Sequence, residues 1–117
     1  MTQTAFIHLV VEDHDNLVVV RFRNNDGFGH ALALETGQEL FVIEEGEQAK
    51  IILSFFNIRA ISPDGLAVLQ RLQERMNERD AMLVMCCLNE STEHFLRTLG
   101  FGEYFCITST MEEAYRV

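Results

Sequence analysis

Basic residues are scarce in this sequence of 117 residues: nine of them stand against eighteen acidic side chains, a formal net charge of −9, and Lys50 is the single lysine. Nucleic acids and anionic membrane surfaces are gripped by clustered Lys and Arg, so the charge balance excludes both as partners. Proline is scarcer still, with Pro63 alone, and no Pro/Gly/Ser-rich stretch reads as a linker. No apolar run approaches the ~20 residues that a membrane-spanning helix needs; the longest clear one is 81–88. The first basic residue is Arg21, so the charged start of a signal peptide is missing too, and the sequence predicts a cytoplasmic protein. Three cysteines in that compartment do not form a disulfide framework.

Apolar residues make up 48% of the chain, which excludes a disordered chain of low hydrophobicity and large charge excess. A chain of this length forms one domain, here 1–117, and buries roughly two-thirds of its unfolded surface without staples. The acidic surplus suits a basic protein partner by steering the encounter, and it also keeps a rather apolar small protein in solution.

Short apolar runs alternate with helical stretches. Residues 6–11 and 17–22 read as two strands joined by the polar turn 12–16, which implies an antiparallel pair. Asn24-Asn25-Asp26-Gly27 then breaks the chain. Ala33, Leu34, Gly37, Leu40 and Phe41 form one apolar stripe and predict a helix over 31–45, with Gly37 packed closely against a sheet and Val42 outward. Residues 51–56 follow as a strand. Ser62-Pro63-Asp64 supplies an N-cap hydroxyl, a proline at N1 and a carboxylate near the positive dipole end; the helix it starts runs to about residue 79 on Leu66, Leu69, Leu72 and Met76. The run 81–88 is apolar throughout, as in a central parallel strand covered on both faces. Asn89 caps a third helix ending at Gly100, residues 104–107 form a last strand, and Ser109-x-x-Glu112 is a capping box for a terminal helix. The expected class is α/β, with a mostly parallel sheet, an antiparallel N-terminal strand and about four helices.

Signatures of catalysis and cofactor binding are missing. There is no G-x-x-x-x-G-K-[ST] and no G-x-G-x-x-G, and Gly27-Phe28-Gly29 and Gly100-Phe101-Gly102 read as turns. His8, His14, His30 and His94 show no metal spacing, so neither a metal nor a cofactor is expected. Cys86 and Cys87 are neighbours in an apolar strand, which directs their side chains to opposite faces and reads as structural rather than nucleophilic. An enzyme using Cys87 or His94 would lack its partner groups.

The stretch Ile51-Ile52-Leu53-Ser54-Phe55-Phe56-Asn57-Ile58-Arg59-Ala60-Ile61-Ser62-Pro63-Asp64-Gly65-Leu66-Ala67-Val68-Leu69 resembles the core of the STAS domain, the fold of bacterial anti-sigma factor antagonists. In that family a strand leads through a short loop to Asp-Ser-[Ser/Thr]-Gly-[Leu/Ile] at a helix start, and the remaining elements follow in the same order over about residues 6–117. The departures sit where the family keeps its chemistry: the motif aspartate corresponds to Ser62, the phosphorylated serine to Pro63, the next serine or threonine to Asp64, and the glycine to Gly65.

The resemblance implies a protein-interaction module of transcription regulation and signal transduction by partner switching, which binds an anti-sigma factor that is also a serine kinase. Phosphorylation would weaken that contact, because a phosphoryl group adds about −1.5 to −2 charge within the docking surface. Proline has no hydroxyl, so the switch cannot operate at position 63. Ser62 is a poor phosphoacceptor because its hydroxyl serves as the cap, and Asp64 is either a fixed charge that imitates phosphate or only a dipole partner. The implied partner surface centres on Ser62, Pro63, Asp64, Gly65 and Val68, with Arg71 and Arg75 on the outer side of the same helix. Arg71, Arg75 and Arg79 recur every four residues beside Glu74 and Glu78, which reads as local ion pairing, and Glu44, Glu45 and Glu47 read as a solvated face. The alternative is a scaffold or sensory subunit that self-associates as a homodimer or binds a small ligand, in keeping with a mean hydropathy of +0.05.

Overall fold

In a computed structural model, which describes residues 3–25, 28, 29 and 32–117, the chain alternates strands and helices. The elements are β1 (Gln3–Ala5), β2 (Leu9–His14), β3 (Leu17–Phe22), α1 (Ala33–Glu44), β4 (Lys50–Ser54), α2 (Pro63–Glu78), β5 (Met82–Cys86), α3 (Glu90–Thr98), β6 (Cys106–Thr108) and α4 (Met111–Arg116). The strands form one sheet in sequence order. Pairs β1/β2 and β2/β3 are antiparallel; β3/β4, β4/β5 and β5/β6 are parallel. The expected α/β class is the observed one, with two antiparallel strands at the N-terminal edge rather than one.

Three crossovers step across the sheet in the same direction, so α1, α2 and α3 share one face. There Ala33, Leu40, Leu69, Leu72 and Leu96 pack on Val18, Val20, Ile51, Leu53, Leu83 and Met85. The alternate strand positions Val19, Ile52, Val84 and Cys86 face the other way and are covered by Ala114 and Met111 of α4. Burial on both sides is why β4 and β5 are apolar without alternation. Among the described residues no helix is long and apolar enough to cross a membrane.

Several local expectations shift. The strand expected over 6–11 begins at Leu9 and is β2, because the Phe6 amide donates to the Leu9 carbonyl (3.0 Å) and closes a reversal from β1, a strand the hydropathy pattern did not mark. That reversal is held to α1 by the His8 amide, which donates to the Glu39 carboxylate at 3.0 Å. The β2–β3 turn shrinks to Asp15-Asn16, with Asp15 at φ 58°, as a tight hairpin requires. Leu34 points to solvent on the same side as Val42. The last strand is Cys106–Thr108, and the capping box is displaced by one residue: Thr110 Oγ1 accepts from the Glu113 amide (3.1 Å), while the Glu113 carboxylate accepts from Ser109. Asp26, Gly27 and His30, and Ala31 at the start of the helix expected over 31–45, lie outside the described residues.

Gly37 packs against a helix, not the sheet. A Cβ placed on it would lie 2.7 Å from Val68 Cγ2, so α1 approaches α2 to a distance that no larger residue allows. Alanine would add about 1 kcal/mol of helix propensity. Overpacking costs about 1–3 kcal/mol, and the β-branched Val68 has few rotamers to retreat into. Gly37→Ala is therefore expected to lower the urea midpoint by a net loss of about 1 kcal/mol. In a Val68→Ala background the same change is expected to become stabilising, which a double-mutant cycle in urea denaturation checks.

Candidate partner-binding site

Loop 55–61 carries the chain from the carboxyl end of β4 to the start of α2, the end of an open parallel sheet where ligands and partners usually meet such folds. Three separate elements hold it. The Phe55 amide donates to the Cys86 carbonyl (2.9 Å), and the Asn89 side-chain amide donates to the carbonyls of Ile58 (3.1 Å) and Arg59 (3.0 Å). The Ser62 amide donates to the Phe28 carbonyl at 3.0 Å. Ile58 and Ile61 point into the core, and Asn57 takes the left-handed turn with φ 70°.

The helix start is a strong N-terminus. Ser62 Oγ accepts from the Gly65 amide at 3.1 Å, and the residue is nearly buried, so its hydroxyl is already committed. Pro63 occupies N1, where its missing N–H costs nothing, and Asp64 sets a carboxylate in the first turn. Both are exposed. Gly65 lies beneath them, and a Cβ there would meet Phe28 Cβ at 3.0 Å and its carbonyl oxygen at 3.1 Å. Ser62, Pro63, Asp64 and Gly65 thus form one capped first turn, with Pro63 and Asp64 exposed and Ser62 and Gly65 buried.

The remaining expected surface residues divide. Val68 is only 7% exposed, because it is the side chain that fills the space over Gly37; it is not on the outer side of α2. Arg71 is exposed. Arg75 and Arg79 do not pair along their own helix; both reach Glu44 of α1, with Nε to Oε distances of 2.9 Å and 2.6 Å. The Arg75 guanidinium also sits 4.9 Å from the Phe41 ring centroid, and Arg79 Nη1 donates to the Gln48 carbonyl (2.9 Å). The Glu44 side chain is 6% exposed, so this member of the acidic cluster is an interhelical clamp, while Glu45 and Glu47 remain exposed.

Sequence pattern missed the apolar part of the rim. Phe56 is 62% exposed and Phe95 48%. Because β4 ends at Ser54, Phe55 turns inward and Phe56 outward, which the unbroken run 51–56 conceals. Phe56 lines a groove of about 560 Å³ with Phe22, Arg23 and Arg59; Arg59, Ala60 and Ile61 continue into a second groove of about 260 Å³ that Phe95 walls. The signal for Phe95 was present in the periodicity of α3, which turns Thr92 and Leu96 inward.

Burial, reinforced by neighbouring Cys87, pushes the Cys86 thiol up to about 12 from an ordinary 9.0, which leaves it protonated and poorly nucleophilic at neutral pH. His94 is exposed, and its ring lies 3.5 Å from Thr98 on the same helix. Among the described residues no three His, Cys, Asp or Glu side chains converge to hold a metal ion.

A family model of the STAS domain matches residues 8–114. No curated protein sequence matches the chain. The fold is similar to that of an anti-sigma factor antagonist from Mycobacterium paratuberculosis, at 17% identity and a TM-score of 0.78 over 92% of this chain and 90% of the other. An anti-sigma-factor antagonist (STAS) domain protein from Planctomyces limnophilus is similar at 16% identity and a TM-score of 0.79, covering 91% and 93%. The Bacillus cell fate determinant SpoIIAA, solved in its phosphorylated form, is similar at 17% identity and a TM-score of 0.66, covering 92% and 96%.

Two outcomes test this geometry. Glu44→Gln strands two guanidinium groups that are still partly hydrated, so the loss is expected to be about 1–2 kcal/mol in urea denaturation. Glu45→Gln, exposed one residue on, is expected to stay within about 0.5 kcal/mol of wild type. The folded state holds Cys86 as the neutral thiol, with its pKa raised above the unfolded value. Its contribution to stability is therefore complete below about pH 9 and lost as pH rises toward about 12. Cys86→Ala is expected to flatten that alkaline fall in stability, measured as the urea midpoint against pH.

Proposed function

The chain belongs to the STAS family, and from that premise we propose that it is a protein-interaction module that binds a regulatory protein, an anti-sigma factor or serine kinase, through the rim at the start of α2. It acts by contact, without catalysis. The observation that carries this reading is the composition of the rim: exposed Pro63 and Asp64 stand beside a loop pinned by hydrogen bonds, and Phe56 of that loop and Phe95 of the neighbouring α3 open to solvent. Aromatic anchors around polar residues on a rigid frame are what a binding surface requires.

Phosphorylation at the family's usual position does not switch this surface in our reading. Pro63 offers no hydroxyl, and that of Ser62 is engaged by Gly65. Asp64 instead supplies one permanent negative charge, weaker than phosphate in charge and acceptor number.

The test is affinity capture by the immobilised chain, followed by titration of the captured protein against variants. An anti-sigma factor or serine kinase is expected, with Phe56→Ala and Asp64→Arg each weakening it by about tenfold or more. The double substitution Pro63→Ser, Asp64→Ser is expected to accept one phosphate from that kinase, read by intact mass. Binding unchanged in both single variants would overturn the assigned surface. Recovery of nothing but further copies of the chain would overturn the partner and favour self-association through Leu34, Gln38 and Val42, which α1 exposes on one side.

A further inference from the structure

Three sulfur atoms meet at the carboxyl end of β5, on the sheet face that α4 covers. Cys86 Sγ lies 3.3 Å from Met111 Sδ and 3.7 Å from Cys87 Sγ. Ordinary strand geometry would send the two adjacent thiols to opposite faces. Here Cys87 takes the left-handed conformation with φ 63°, which brings its thiol round to the side of Cys86 and corrects the expectation drawn from alternation. A non-glycine residue held in that conformation is a feature that the surrounding structure imposes, and such positions gather at functional sites.

The surroundings suit a soft ligand. Val19, Ile52, Val84 and Ala114 form an apolar wall around the sulfurs. Cys86 is buried, whereas Cys87 and Met111 are half-buried and leave a way in. Ser54 and Arg21 lie in register with Cys86 on the neighbouring strands, and the Arg21 guanidinium there is paired with Glu12. Zinc would need about four nitrogen, oxygen or sulfur ligands, and no third His, Cys, Asp or Glu joins the group among the described residues. Two thiolates and a thioether are the donor set that selects monovalent copper. With metal–sulfur bonds of about 2.3 Å and trigonal angles, ligands lie about 4 Å apart, so Met111 Sδ, at 3.3 Å, and Cys87 Sγ, at 3.7 Å, would each have to move outward from Cys86 Sγ by a fraction of an ångström to admit the ion.

We propose that Cys86, Cys87 and Met111 form a binding site for a soft monovalent ion of the Cu(I) class, which ties α4 to the end of β5. Binding displaces the two thiol protons to solvent and involves no change of oxidation state. The site is distinct from the rim of α2 and does not depend on the partner reading.

The test uses the full chain, reduced and anaerobic, titrated with Cu(I) in competition with bicinchoninate, and each variant is checked for fold by circular dichroism. One Cu(I) per chain is expected, with an all-sulfur shell by X-ray absorption. Cys87→Ser, a half-buried change that keeps the core intact, is expected to abolish copper uptake. Met111→Leu is expected to weaken it by at least about tenfold, and Cys106→Ser to leave it unchanged. The thermal midpoint of wild type, but not of Cys87→Ser, is expected to rise with Cu(I). A folded wild type that withdraws no copper from bicinchoninate would overturn the site, as would a loss with Cys106→Ser equal to that with Cys87→Ser.

Discussion

Val68 of α2 occupies the space that any side chain at position 37 of α1 would need, and the two helices meet at the closest distance their backbones allow. Further along, Glu44 receives Arg75 and Arg79 of α2, so the contact is closed by buried charge where it is no longer closed by packing. The dispersion contact sets the separation, while the ion pairs, which need defined geometry to offset their desolvation, set the register. Once α2 is placed in this way, its first turn falls against Phe28, and only glycine fits at position 65. The rim residues therefore inherit their positions from a contact that lies on the helix flank below them.

The sheet is covered unequally, and its two faces serve different ends. Three helices bury the face that carries Val18, Ile51 and Leu83, which makes the larger core. The opposite face carries a six-residue helix over Val19, Ile52 and Val84, and its contents include all three cysteines and Met111. Thin cover by a short helix leaves polarisable side chains near solvent. The same carboxyl end of the sheet thus bears the rim at the start of α2 on one side of β4 and β5 and a sulfur cluster on the other.

Charge is used sparingly at the rim. The net charge of −9 comes from strands, turns and helices alike, yet the rim sets Asp64 at the start of α2 beside a groove lined by Arg23, Arg59, Phe22 and Phe56. Such a mixture favours specificity through local complementarity over long-range attraction.

Periodicity and punctuation determined much of this protein unaided. Ser62-Pro63-Asp64 announced α2 because a cap hydroxyl, a proline and a carboxylate satisfy the first turn from within the chain, and the continuous apolar runs announced β4 and β5 because parallel strands are buried twice. The family was legible in the order of these elements and in Gly65-Leu66. What depended on distant contacts was not legible. Whether Val68 faced outward depended on a glycine 31 positions earlier, Glu44 became a clamp only when α1 lay across α2, and Phe56 reached solvent only because β4 ended at Ser54. The two thiols of Cys86 and Cys87 came together through one left-handed residue that no local pattern foretold. Local sequence determines which backbone groups are satisfied nearby; only the packed structure decides which side chains share a neighbour, because that depends on residues far apart along the chain.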